Sequence, residues 1–156
     1  MNDDRRKVLK GTGGMAVLGL AASAGLFAPG GAWAQAWNKA AFETKSLADT
    51  VKAMGGSGAT ESKDIVISSP DIAENGAVVP FTISSRVPKT EAIALLVEKN
   101  PNALAASFEI PAGTEAGVTT RVKMGQTSNV TALVKADGKF YYTTKEVKVT
   151  LGGCGG

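Results

Sequence analysis

Cys154 is the only cysteine of this chain, and it is the residue best suited to covalent chemistry. A cysteine thiolate is a nucleophile that bonds to sulfur compounds and exchanges with disulfides. Two glycines precede it and two follow it: Gly152, Gly153, Gly155 and Gly156. Because glycine adopts both signs of φ, we expect residues 152–156, the glycine arm, to present the thiol with little backbone restraint.

Three other interpretations of Cys154 stay open: a buried structural cysteine, an added labelling tag, and a cysteine that crosslinks two chains. Burial is disfavoured because the surrounding glycines provide no apolar side chains to cover the thiol. An unpaired cysteine in an exported protein is either reactive or joined to another chain. If the folded domain ends near Thr150, the four residue steps to Cys154 extend about 13–14 Å. A thiol on such a segment is suited to entering the cleft of another protein.

The chain contains no histidine. With one cysteine and no imidazole, it cannot by itself form a Ser-His-Asp or Cys-His couple, a His/Cys zinc site, haem ligation or an iron–sulfur cluster. Asp49, Asp71 and Glu74 are interpreted as solvated charges on a helix or in a turn. We therefore predict no catalytic residue, no metal site and no cofactor, and a carrier or binding protein instead of an enzyme.

The N-terminus has the pattern of a twin-arginine signal peptide. Arg5-Arg6 precedes an apolar run, rich in glycine and alanine, over residues 13–32, and an Ala-Trp-Ala cleavage site ends at Ala34. A transmembrane anchor of about 20 residues is the alternative, and the cleavage site argues against it. We expect export of the mature chain to the periplasm.

The exported part has a small net charge. Cleavage after residue 34 removes four basic and two acidic residues from totals of 17 and 14, which leaves a formal charge near +1. This balance gives no reason to expect binding to nucleic acid or to an anionic membrane. A domain of this size can bury a core without disulfides.

The predicted elements are one helix followed by strands. Residues 37–54 have the apolar spacing of an amphipathic helix, and Gly55-Gly56 predicts its end. From residue 65 onward, short β-type runs alternate with turn residues. We predict seven strands, at residues 65–67, 78–84, 92–98, 104–110, 118–124, 129–135 and 140–150. With no helix between them, the pattern favours an immunoglobulin-like antiparallel β-sandwich.

Two of these strands carry more specific predictions. Residues 92–98 are mostly apolar, which indicates a central strand buried on both faces. In the last strand, the apolar residues change parity between Tyr142 and Val147. Because a shift of one residue moves side chains to the other face, we predict a β-bulge near Lys145-Glu146.

The chain accordingly divides into four segments. They are a twin-arginine signal peptide (1–34), an N-terminal helix with a glycine-rich linker (35–58), a β-sandwich domain (59–151) and the glycine arm (152–156). The apolar face of the helix either docks on the sandwich or forms part of a partner surface.

The whole pattern resembles the SoxY family, the sulfur-carrier subunits of the periplasmic thiosulfate-oxidising (Sox) system. The shared features are a twin-arginine leader, an N-terminal helix, a small β-sandwich and a last strand that runs from Lys145 through Thr150 into Gly-Gly-Cys-Gly-Gly. The resemblance covers essentially the whole chain. It is most specific at residues 152–156, which match the family motif without departure.

The resemblance implies that Cys154 carries sulfur intermediates covalently. In that family the haem-containing SoxAX conjugates thiosulfate oxidatively to the motif cysteine as a cysteine S-thiosulfonate. The hydrolase SoxB releases sulfate, and the sulfur dehydrogenase SoxCD or another route acts on the remaining sulfane sulfur. A heterodimer with SoxZ, a smaller sandwich protein without a signal of its own, is also implied. The alternative is an exported adhesion or structural module crosslinked through Cys154.

Overall fold

The computed structural model describes residues 38–150, which form two short helices and nine strands. The helices are α1 (Lys39–Phe42) and α2 (Leu47–Ala53). The strands are β1 (Ala59–Glu61), β2 (Ile65–Ser68), β3 (Ile72–Ala73), β4 (Val79–Ser85), β5 (Thr90–Val97), β6 (Leu104–Glu109), β7 (Gly117–Val122), β8 (Ser128–Ala136) and β9 (Lys139–Val149). Within this part of the chain, neither helix has the length and apolar character needed to cross a membrane.

The strands form two sheets that share one apolar core. The larger sheet has the order β1-β9-β8-β5-β6, with β3 also paired to β9, and the smaller sheet has the order β2-β4-β7. Phe81 and Ile83 of β4 are buried in the same cluster as Ile93 and Leu95 of β5. Buried and exposed residues alternate along β4, as the two-residue period of a strand requires. The prediction of a mainly β, sandwich-type fold is confirmed.

The sequence does not predict β1 and β3, which contain three and two residues. Both pair in parallel with β9, whereas β8 pairs with it antiparallel. Segments this short show no periodicity, so their strand character comes from the partner strand. Residues 38–150 therefore hold nine strands instead of seven, and two of the pairings are parallel.

β5 is buried on both faces, as predicted for a central strand. It lies between β8 and β6, and every residue over 92–97 is buried. Ile93 and Leu95 pack in the sandwich core, whereas Ala94 and Leu96 pack in a second cluster with residues of the helices. The helices therefore form a third layer that covers part of the outer face of the larger sheet.

The single helix predicted for residues 37–54 is wrong, because the chain forms α1 and α2 with a break between them. Ser46 has an extended backbone and caps α2: its Oγ accepts the N–H of Asp49 at 3.1 Å and donates to the Asp49 carboxylate at 2.6 Å. Thr44 donates its hydroxyl to the Ala41 carbonyl at 2.7 Å, at the end of α1. Local side-chain bonds of this kind compete with a continuous helix.

The helix end predicted at Gly55-Gly56 is confirmed. Gly55 has a left-handed backbone with φ +87°. It donates its N–H to the Lys52 carbonyl at 3.0 Å, and Gly56 donates to the Val51 carbonyl at 2.8 Å, which caps the last turn. A Cβ on Gly56 would lie 2.5 Å from the Phe140 ring. The helix layer therefore approaches β9 so closely at Gly56 that any larger residue would force the Phe140 ring to shift.

The bulge predicted near Lys145-Glu146 is wrong, because β9 pairs with β8 in unbroken register from Lys139 to Val147. The apolar residues change parity because different layers cover the two ends of the strand. Phe140 packs in the helix-layer cluster, and Val147 packs in the sandwich core. A regular strand thus changes its buried face where its covering layer changes.

Candidate functional site

The site residues predicted from the sequence all lie outside residues 38–150: Cys154, Gly152, Gly153, Gly155 and Gly156. The structure describes the segment that leads into them. We call residues 145–150 the arm base, and the groups that hold this segment define the described part of the candidate site.

The backbone of the arm base is hydrogen-bonded on both of its edges. β3 flanks one edge, and the turn before β8 flanks the other. Successive N–H groups of a strand point to opposite edges, so each edge contributes in turn. Three consecutive N–H groups are satisfied in this way: Lys148 donates to the Asp71 carbonyl (2.9 Å), Val149 to Thr127 Oγ1 (3.0 Å) and Thr150 to the Ala73 carbonyl (3.1 Å).

Lys145 ties the arm base to the segment that enters β3. Its Nζ lies 2.9 Å from Asp71 Oδ1 and donates to the Ser69 carbonyl at 2.7 Å. The hydrogen bond from Lys145, and after it the Lys145 charge, hold the pKa of Asp71 below its usual value of 3.8. Since the Asp71 carboxylate is exposed, solvent screens the attraction. The main effect of the contact is to position residues 69–71.

The loop over residues 74–78 lies beside the arm base and is itself well held. The Glu74 carbonyl accepts a hydrogen bond from the Thr150 hydroxyl at 3.4 Å. Asn75 Oδ1 accepts the N–H of Ala77 at 2.9 Å. The Gly76 carbonyl accepts the N–H of Met124, a buried core residue, at 2.7 Å. The arm base therefore leaves the sandwich next to a fixed loop.

The contacts of the arm base hold this segment in a defined position. Lys145 forms an ion pair with Asp71 and a hydrogen bond to the Ser69 carbonyl, and the backbone N–H groups of residues 148–150 form the hydrogen bonds described above. Within residues 38–150, no group of three His, Cys, Asp or Glu residues could hold a metal ion. The arrangement fixes the point from which the glycine arm starts.

The sequence did not predict two of the features that hold the arm base, β3 and Thr127. A polar residue just before a strand is common in turns, so Thr127 gives no distinctive signal. The only signal for β3 is Ile72-Ala73, an apolar pair after Pro70-Asp71, and it is too short to indicate a strand.

A separate cleft of about 300 Å³ lies between the start of α2 and the outer face of the larger sheet. Four of its polar side chains bind one another in pairs: the hydroxyls of Thr131 and Thr144 are 3.0 Å apart, and Asn129 Nδ2 donates to Glu98 Oε2 at 3.0 Å. Thr144 precedes Thr150 by six residues, about 20 Å along an extended strand. The cleft is therefore far along the strand from Thr150, the end of the arm base nearest the glycine arm.

Two solved structures can be compared with this fold. The sulfur carrier protein SoxY from Chlorobium limicola f thiosulfatophilum has 35% sequence identity, a TM-score of 0.58, and a match that covers 66% of this chain and 96% of that chain. A superoxide reductase (neelaredoxin) from Ignicoccus hospitalis has 18% identity and a TM-score of 0.49, over 55% of this chain and 79% of that chain. The second similarity supports no inference about function. No curated protein sequence matches the chain significantly.

The family model of the sulfur oxidation protein SoxY matches residues 51–154. This range begins within α2, contains all nine strands, and ends on Cys154. It covers more than half of the chain, and the Chlorobium carrier matches over almost its full length. The chain belongs to the SoxY family.

Proposed function

We propose that this protein is a covalent carrier of sulfur intermediates in thiosulfate oxidation, with Cys154 as the attachment point. The observation that carries the proposal is the family match, which extends to the cysteine itself. The 35% identity to a sulfur carrier protein supports the same role. The arm base is hydrogen-bonded on both edges up to Thr150. A segment held in this way is suited to support an arm that reacts with several enzymes in turn.

In the proposed first step, a bond forms between the Cys154 sulfur and the sulfane sulfur of thiosulfate. The thiol proton goes to solvent, and an electron pair passes to the haem-containing oxidase, SoxAX. The product is a cysteine S-thiosulfonate. In the second step, which SoxB catalyses, water attacks the sulfonate sulfur. Sulfate leaves, and a persulfide remains on Cys154. SoxCD, or another route, then acts on the persulfide sulfur.

The residue composition of the chain supports a mechanism in which the carrier provides the thiol and the enzymes activate it. An ordinary cysteine thiol ionises near pH 8.5, so only a few per cent is thiolate at pH 7. The chain has no histidine to remove the proton. The enzymes therefore supply the base, and the glycines beside Cys154 keep the thiol narrow enough to enter them.

We further propose periplasmic export and a heterodimer with SoxZ. The support for export is the arginine pair, apolar run and cleavage site within residues 1–34. Twin-arginine export passes folded proteins, so a partner without a signal can cross the membrane bound to this chain.

Mass spectrometry of the C-terminal peptide tests the function directly. The purified chain is incubated with thiosulfate and SoxAX, with Cys154→Ala as the matched control. We expect one thiosulfate group on Cys154 and none on the variant. An unmodified peptide under turnover conditions contradicts the proposal, and a stable, reducible dimer in its place supports the crosslinked structural module.

A further inference from the structure

Residues 38–150 contain two methionines, Met54 and Met124, and the fold places them in different surroundings. Met124 is 0% exposed in the sandwich core. Met54 is the residue that ends α2, and its side chain is half-buried against the helix-layer cluster. A peroxide converts a thioether to methionine sulfoxide. Of the two side chains, Met54 is therefore the one that a peroxide in solution reaches while the protein is folded.

Met54 lies where the helix layer contacts the larger sheet. Its N–H donates to the Thr50 carbonyl at 2.9 Å, in the last turn of α2. Its side chain packs against the cluster that contains Val51 of α2 and Phe140 of β9. Two residues further on, a Cβ on Gly56 would lie 2.5 Å from the Phe140 ring. The helix layer and β9 are therefore in close contact just beyond Met54.

Oxidation would change how this side chain interacts with the layer. The thioether is apolar and adapts to an irregular surface, whereas the sulfoxide carries a polar oxygen. Burial of that oxygen without a hydrogen-bond donor is unfavourable, so the oxidised side chain is more stable in water. α2 has seven residues, and a helix of this length depends on tertiary packing. Loss of the Met54 contact should therefore loosen the end of α2.

We propose that Met54 is a reversible oxidation site through which a peroxide weakens the packing of the helix layer on the larger sheet. The Met54 sulfur attacks one oxygen of the peroxide, the O–O bond breaks, and the sulfur gains that oxygen. The sulfur is oxidised by two electrons, and with hydrogen peroxide the second product is water. A methionine sulfoxide reductase restores the thioether, with a dithiol as reductant. Neither the site nor its effect depends on the proposed carrier function.

Mass spectrometry of both methionine peptides tests the site. The purified protein carries Cys154→Ala, so that the thiol does not consume the oxidant, and is treated with hydrogen peroxide. In the folded protein, Met54 should be oxidised at least about tenfold faster than Met124, because reaction at Met124 requires opening of the core. In concentrated urea both side chains are exposed, and the two rates should agree within about twofold.

The effect on the helix layer is measured on the same samples. Oxidation should lower the thermal unfolding midpoint by about 4 °C, and the amides of residues 54–56 should exchange hydrogen about fivefold faster. Treatment with methionine sulfoxide reductases should reverse both changes. Met54→Leu in the same Cys154→Ala protein is the matched control, because leucine has a similar volume and lacks the sulfur. Its midpoint and its amide exchange should not respond to the peroxide.

Equal oxidation of Met54 and Met124 in the folded protein overturns the assignment of the site. So does a Met54 that stays reduced in the folded protein at peroxide concentrations that oxidise it in urea. Oxidised Met54 with an unchanged midpoint and unchanged amide exchange overturns the effect on the helix layer. A response of the same size in Met54→Leu also overturns the proposal, because the effect would then arise at another residue.

Discussion

Lys145 and Asp71 form an ion pair, with Nζ 2.9 Å from Oδ1, that joins β9 to the residue directly before β3. The same Nζ donates to the Ser69 carbonyl at 2.7 Å, across 76 positions of sequence. This contact, together with the backbone bonds to β3, holds the arm base against the segment over residues 69–73.

Replacement of Lys145 by Met should loosen the arm base without unfolding the domain. The backbone amides of Lys148 and Thr150 donate to the carbonyls just before β3 and at its end, respectively. Their hydrogen exchange should become faster by up to about fivefold. Hydrogen exchange followed by mass spectrometry measures this. Lys89→Met, which removes an exposed ion pair to Asp137, is the control and should leave these amides unchanged. Equal exchange in Lys145→Met and wild type would contradict the role of Lys145.

The Asp71 carboxylate should make a small contribution to stability that depends on pH. Its pKa is lowered in the folded state by the hydrogen bond and charge of Lys145. The contribution is therefore complete above the ordinary value of 3.8 and is lost as the pH falls from there through the folded-state pKa. Urea unfolding of wild type and Asp71→Asn should differ at neutral pH and converge in this acidic range. A difference in unfolding free energy between wild type and Asp71→Asn that grows as the pH falls would contradict this prediction.

Gly56→Ala should destabilise the domain, because the new Cβ would overlap the Phe140 ring and crowd Val51. Overpacking of this kind costs about 1–3 kcal/mol. Gly58→Ala is the control: it meets nothing within 4 Å and should change the unfolding free energy by less than about 0.5 kcal/mol. Urea unfolding compares the two variants, and equal stability would show that the helix layer moves away from β9 at little cost.

Bulky residues in the glycine arm should impair the proposed carrier reaction while leaving the fold intact. Gly153→Trp and Gly155→Trp are each expected to lower kcat/KM for adduct formation on Cys154 by more than about tenfold, since the thiol would be misplaced in the enzyme cleft. Gly58→Trp, at an exposed position where an added Cβ meets nothing within 4 Å, should behave as wild type. The thermal unfolding midpoint is the check on folding. Normal turnover by both arm variants would show that a narrow arm is not required.

The strand pattern and the helix end were predictable because they depend on local properties. Alternation of side chains along a strand has a period of two residues, so β4 and β8 could be located from their own residues. Gly55 could be assigned to a helix end because a left-handed backbone there favours glycine. The continuous apolar run in β5 likewise indicated a strand covered on both faces.

The change of parity in β9 was visible in the sequence but its cause was not. A bulge and a change of covering layer produce the same pattern of apolar residues along one strand. Only the positions of Phe140 under the helices and Val147 in the sandwich core distinguish the two explanations. The break between α1 and α2 was missed for a related reason, since apolar spacing does not register the cap that Ser46 forms with Asp49.

The sequence by itself determined the chemical inventory of this protein, with one cysteine among four glycines and no histidine, and it determined the short-range pattern of its strands. The tertiary structure decided which groups hold the arm base and which side chains surround it. Asp71 and Ala73 meet Lys148 and Thr150 only because β3 pairs with β9. That pairing joins segments far apart in the chain, so it depends on packing of the whole sandwich, and no local pattern of two residues can specify it.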